Sequence, residues 1–207
     1  MKHSVLVIWH DKWHPDTTYE AALGGLFGAW DMKTDKSMLT LSQADKAPDL
    51  AIVLASAMPN GESLSEGDQK AICNMAENGM GMLYIHAGLT RIDLGSPIYG
   101  LTRARFIMHP SGQPPVYNAA LPGITHPVMD GVGPFEAPDE HYFCYVDAEN
   151  TQPFLFARSE HGTEIGGWAH DYGKGRVCCI GAGHTVEAVE KMKPIIESAA
   201  AWCVKDK

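Results

Sequence analysis

The sequence predicts an α/β domain built on a mostly parallel sheet. Two observations carry most of that prediction. Val5-Leu6-Val7-Ile8-Trp9 and Leu50-Ala51-Ile52-Val53-Leu54-Ala55 are continuous apolar runs of strand length, as expected of strands covered on both faces. A segment of helical periodicity then leads into Met82-Leu83-Tyr84-Ile85. Strand, helix, strand is the right-handed crossover unit of a parallel sheet. A length of 207 residues suits one domain spanning the chain.

The elements follow in order. After the first strand comes His10-Asp11-Lys12-Trp13-His14-Pro15, and a helix is expected from Asp16 or Thr17 with Ala21, Ala22, Leu23, Leu26 and Phe27 as its apolar face. A short second strand is expected around Ser37 to Leu41. Ser65 and Asp68 form a capping-box start, Ala71, Ile72, Met75 and Ala76 recur at helical spacing, and Gly79 is the expected stop. The stretch from Gly95 to Gly133 is rich in Gly and Pro and reads as a loop-rich insertion or rim, with residues 95 to 140 as its outer bounds. Strands are expected near His141 to Val146 and Pro153 to Ala157. An antiparallel hairpin is expected from Ile165 to Ala169 and Arg176 to Ile180 around Gly173-Lys174-Gly175. A closing helix after Thr185 would pack Ala188, Met192, Ile195, Ile196, Ala199, Trp202 and Cys203.

Composition narrows the function. Sixteen basic and 25 acidic residues give a net charge of -9, which opposes long-range attraction to nucleic acid or anionic lipid. The first apolar run is too short for a signal-peptide core, and no run reaches the roughly 20 residues needed to span a bilayer. A cytoplasmic protein acting on a small molecule is the expectation, with no nucleic-acid or membrane partner. A homodimer is the expected assembly, since closed symmetric dimers are common. The five cysteines form no C-x-x-C pair and read as small buried hydrophobes. Gly79-Met80-Gly81 precedes a strand instead of opening a helix, and Gly173-Lys174-Gly175 is too short for a P-loop. No nucleotide cofactor is expected.

The histidines are more telling. In a parallel sheet, ligands collect at the carboxyl ends of strands. His10 and His14 follow the first strand, His86 ends a central one, and His184 follows the late strand through Gly181-Ala182-Gly183. Asp11, Asp139 and Glu140 are the acidic partners within reach. Two chemistries fit. Neutral imidazoles and carboxylates can hold a divalent metal, zinc first, with His14, His86, His109 and His184 as candidate ligands. Alternatively, a histidine moves a proton while a carboxylate orients it. His86, His184, Asp139 and Glu140 are the catalytic candidates in either case; one carboxylate entering the cleft would leave the other to orient it. Trp9, His10 and Asp11 are candidates for contact with substrate, and Trp9 and Trp13 could wall a sugar face. Bland readings stand beside these. His14, His109 and His126 each precede a proline, where a solvent-facing loop histidine suffices. His3, His161 and His170 read as surface or structural, and His141 as a strand flank.

Taken together, Ser65 to Gly79, Met82-Leu83-Tyr84-Ile85-His86-Ala87-Gly88, His109-Pro110, His126-Pro127-Val128-Met129-Asp130-Gly131, Phe135 with Asp139-Glu140, Trp168 to Val177 and Gly183-His184 resemble the ThuA-like, or trehalose-utilisation, family. That family lies within the class I glutamine-amidotransferase-like superfamily. The resemblance implies a flavodoxin-like three-layer sandwich with added antiparallel strands. It implies that His86 occupies the bend where amidotransferases carry a cysteine nucleophile, which argues against glutamine hydrolysis. It also implies a carbohydrate-processing enzyme acting on a sugar or keto-sugar, by metal-assisted hydrolysis, elimination or isomerisation. A non-catalytic sugar-binding or regulatory protein and a divergent amidase are the alternatives.

Overall fold

Residues 2–14, 19–20, 23, 25–56 and 64–204 are described by the computed structural model. In chain order they contain strands β1 (Ser4–Ile8), β2 (Asp31–Asp35), β3 (Leu50–Val53), β4 (Gly81–Ile85), β5 (Ala104–Met108), β6 (Pro115–Ala120), β7 (Phe135–Pro138), β8 (Phe143–Val146), β9 (Gln152–Ser159), β10 (Gly162–Tyr172) and β11 (Gly175–Ile180). The helices are α1 (Met38–Ser42), α2 (Glu66–Glu77), α3 (Pro97–Thr102) and α4 (Val186–Val204). No helix among these residues is long and apolar enough to cross a membrane.

One nine-stranded sheet runs in the order β2-β1-β3-β4-β11-β10-β9-β6-β7. The first five are mutually parallel, and β4 takes β3 on one side and β11 on the other. From β11 onward every pairing is antiparallel. A separate ribbon pairs β5 with β8. Side chains alternate across the sheet as strand geometry requires. Leu83 and Ile85 of β4 enter one core cluster with α4, Tyr19, Leu23 and Phe27, while Met82 and Tyr84 enter the other with α1, α2 and α3. This is the flavodoxin-like three-layer sandwich, mostly parallel at its centre and extended by antiparallel strands.

Several elements match the sequence reading. Ser65 caps α2, its hydroxyl accepting from the Asp68 amide, and Gly79 follows with a φ of 126°. The β10–β11 hairpin turns at Gly173 and Lys174 between paired Tyr172 and Gly175. The start of the helix expected at Asp16 or Thr17, and its Ala21 and Ala22, lie outside the described residues. Two expectations are corrected. Ser37 to Leu41 is not a strand: Ser37 caps α1 through the Leu39 amide, and Met38 and Leu41, three apart, are the buried pair. The second strand is instead the polar Asp31–Asp35, whose apolar pattern is faint because it forms an exposed sheet edge. The segment from Gly95 to Gly133 is less irregular than its composition suggests, since it holds α3, β5 and β6.

Candidate active-site cleft and metal centre

Because β1, β4 and β11 are parallel, their carboxyl ends share one edge of the sheet, and the loops that leave them converge there. The loop after β7 reaches the same edge.

The first loop is shaped by Asp11. Its Oδ1 accepts from the amides of Trp13 and His14, both at 2.8 Å, and faces His14 Nδ1 at 2.9 Å. Its Oδ2 accepts from the Ser56 amide at 2.9 Å, tying this loop to the one after β3. Burial disfavours the charged form, but His14 and the donated amides outweigh it and hold the carboxyl well below the usual range. His14 therefore carries its proton on Nδ1 and turns the lone pair of Nε2 away from Asp11. That Nε2 lies 2.9 Å from His184 Nδ1.

His86 follows β4 at a sharp bend with a φ of 46°. This left-handed conformation is uncommon for a residue with a side chain, and such strain concentrates at functional sites. The bend is compact because Gly88 lies so close to β3 that a Cβ there would sit 2.3 Å from the Val53 carbonyl oxygen. His86 Nδ1 donates to the Gly181 carbonyl at 2.9 Å. Its ring is fully buried and stacks on Tyr142 with centroids 3.9 Å apart. Nε2 makes no hydrogen bond although it is buried, an unusual condition that invites an explanation.

The adjacent carboxylates divide the work. Asp139 is buried and points into its own backbone surroundings: Oδ2 accepts from the Gly183 amide, and Oδ1 from the amides of His184 and Glu140. Burial pushes its carboxyl up, while His86 and these amides oppose the shift. Asp139 thus fixes the loop that carries His184. Glu140 enters the cleft, with Oε2 3.4 Å from His86 Nε2, 3.3 Å from His184 Nδ1 and 3.7 Å from His109 Nε2. Burial raises its pKa, but the facing imidazoles more than offset this and keep it low. His184 is driven the other way, down to about 4, by burial and by neighbouring His86. It is a neutral donor near neutral pH.

His14, His86, Glu140 and His184 each offer one ligand atom, all within 4.8 Å of one another. Donors around a tetrahedral zinc at 2.0–2.1 Å stand roughly 3.3 Å apart. Three of the six spacings, 2.9, 3.3 and 3.4 Å, lie near that value, and all six lie within 4.8 Å. The donor set of three imidazoles and a carboxylate, with the lone pair of His86 Nε2 otherwise buried and unsatisfied, fits a divalent ion. His109 stands apart on the rim: its Nδ1 donates to the Pro110 carbonyl, and it lies outside the group of four.

The cluster opens into a cleft of about 420 Å³ lined by Trp13, Phe106, His109, Tyr142, Thr90 and Arg91 among others. Small-ligand sites span roughly 300–1,000 Å³. Trp9 is buried in the core, while Trp13 lies on the rim. His10 does not line the cleft. The oxygens of Asp11 are occupied by the protein's own amides and by His14, so its role is to shape the loop. Sequence reasoning missed Tyr142 and the Gly181 carbonyl. The first had a signal in its place two residues after Glu140; a backbone acceptor has none. None of the five cysteines is in a disulfide, and none lines the cleft.

The family model described as ThuA, trehalose utilisation, matches residues 4–203. No curated protein matches the sequence. Among solved structures, a ThuA-like protein from Parabacteroides merdae is similar with a TM-score of 0.77 and 16% identity, over 100% of this chain and 91% of that one. A ThuA-like protein from Bacteroides uniformis gives 0.74 and 15%, over 99% and 92%. A glutamine amidotransferase from Thermotoga maritima gives 0.61 and 12%, over the whole of both chains. At such identities the likeness concerns the fold.

Proposed function

The chain belongs to the ThuA family, described by trehalose utilisation, and from that premise we propose that it is an enzyme that processes a sugar or keto-sugar in the cleft at the carboxyl ends of β1, β4 and β11. The observation that carries the proposal is the convergence of His14, His86, His184 and Glu140 around the unsatisfied Nε2 of His86. In this reading the three histidines would hold a divalent ion, with zinc the best fit to nitrogen-rich ligation, and Glu140 would face it as the base. A zinc ion so held supplies a Lewis acid that polarises a carbonyl or activates water. The protein's own groups do the rest. Asp11 and the Gly181 carbonyl fix the tautomers of His14 and His86, so that each presents a lone pair. Glu140, kept ionised by the imidazoles around it, accepts a proton from substrate or water. His109, 3.7 Å from Glu140 at the cleft mouth, passes that proton towards solvent. Asp139 keeps His184 in register. The products are those of hydrolysis, elimination or isomerisation. Five cysteines outside any disulfide suit a reducing compartment such as the cytoplasm.

The test joins metal analysis to turnover. Protein purified without chelator should carry close to one equivalent of zinc and consume trehalose or its keto derivative. His86→Ala and His184→Ala should lose the metal and at least a hundredfold in kcat/KM. Unchanged turnover in both variants would refute this site, and tight sugar binding without product would reassign the cleft to a binding protein.

A further inference from the structure

Trp13 is 68% exposed. Scattered exposed aliphatic residues are ordinary, but an indole left in water at the mouth of a cleft is a costly placement. Its position is also set. The Trp13 amide donates to Asp11 Oδ1 at 2.8 Å in the same turn that orients His14. The platform and the cluster are therefore built by one carboxylate, and their spacing is fixed together. Phe106, His109 and Tyr142 also line the cleft and form a connected aromatic group, with the Phe106 and Tyr142 rings 4.5 Å apart and those of His109 and Tyr142 5.9 Å apart. Lys12 Nζ lies 4.6 Å from the Trp13 ring centroid, a weak contact at an exposed site that a ligand can displace.

An aromatic rim above a polar, proton-transferring floor suits a molecule with both kinds of surface. A pyranose ring is such a molecule, apolar across its C–H face and polar at its edge. We infer that Trp13 is a positioning residue: it stacks against the sugar ring of the substrate that does not react, while the reacting ring lies over Glu140 and the histidines. This inference rests on the carbohydrate reading above. It makes Trp13 the element that distinguishes a two-ring glycoside from a single sugar.

The experiment measures trehalose and glucose binding to zinc-loaded wild type, Trp13→Phe and Trp13→Ala by calorimetry and by iodide quenching of tryptophan fluorescence, followed by steady-state kinetics. Far-ultraviolet circular dichroism checks that the variants are folded. Trehalose should shield wild-type fluorescence from iodide. Trp13→Ala should weaken trehalose binding about tenfold and Trp13→Phe about threefold, as expected for loss or reduction of one stacked ring. Glucose affinity should change less than twofold, and the kinetic loss should fall on KM far more than on kcat. Wild-type trehalose affinity in Trp13→Ala, or equal losses for both sugars, overturns the role of Trp13 while leaving the carbohydrate reading in place. Failure of wild type to bind either sugar overturns that reading and this one with it.

Discussion

His170 shows what a histidine does when it is not part of the cleft. It is buried on β10, its Nε2 donates to the Leu101 carbonyl at 3.0 Å, and its Nδ1 is enclosed without a partner. Burial first, and then nearby Arg103, lower its pKa to about 4. An unfolded chain protonates the same residue near 6.5. Its contribution is therefore fully present above pH 6.5 and is lost as pH falls towards 4, because the unfolded state takes up the proton first. The full loss is roughly 3 kcal/mol. His126, His141 and His184 shift in the same direction, so wild type should lose more than this one residue explains. Urea unfolding at pH 7.5 and 4.5 isolates it: in His170→Gln, which keeps a donor for Leu101, the stability difference between the two pH values should shrink by about 2 kcal/mol. The sequence marked His170 as surface or structural and His86, His14 and His184 as strand-end residues, and position along a strand was enough to keep His170 out of the candidate site. It did not separate Asp139 from Glu140. Their division depends on where Gly183 and His184 arrive from a distant strand, and no local pattern records that.

At the scale of elements, the bend at β4 depends on a close backbone approach. A methyl group at Gly88 would meet the Val53 carbonyl oxygen at 2.3 Å and its carbon at 3.0 Å, and neither can yield without moving β3. Gly88→Ala should cost about 3 kcal/mol, within the upper range of overpacking. Gly100 in α3 has open space around its would-be Cβ. Gly100→Ala should be neutral or stabilise by up to about 1 kcal/mol. Chemical denaturation of the two variants tests the contrast; similar midpoints would show that the approach at Gly88 is not limiting. The parallel strands were legible because burial on both faces leaves continuous apolar runs. The second strand was not, because an edge strand reading Asp-Met-Lys-Thr-Asp carries no such run, whereas Met38 and Leu41 in α1 do mimic one. Its charges serve the edge well, since they discourage pairing with another sheet. Residues 95–133 read as loop-rich because their Gly and Pro content outweighed the apolar positions of three short elements.

For the whole molecule, the candidate metal centre ties together loops that follow β1, β4, β7 and β11. An ion bound only by the folded state stabilises it by mass action, by about 2.7 kcal/mol when present at a hundred times its Kd. For a chain of this size that corresponds to a rise in Tm of roughly 5–10 °C. Adding zinc to chelator-treated protein should produce that rise. Asp11→Asn, which weakens the orientation of His14, should reduce metal affinity roughly 10- to 100-fold and shrink the shift accordingly. A Tm indifferent to zinc in wild type would show that the cluster does not close on an ion.

The β4–β11 pairing sets the order in which this protein can be made. β4 lies inside the parallel part of the sheet, yet its neighbour on one side joins Val177 to Met82 and Ile180 to Ile85. While the chain is being synthesised, β1, β3 and β4 can assemble long before β11 exists, leaving an apolar strand with an open hydrogen-bonding edge. Pairings between such distant residues are slow to form, and unpaired edges invite aggregation. His184 lies beyond β11, so the last member of the candidate centre arrives only when that edge closes. The nascent chain is most vulnerable just before that centre can first be assembled.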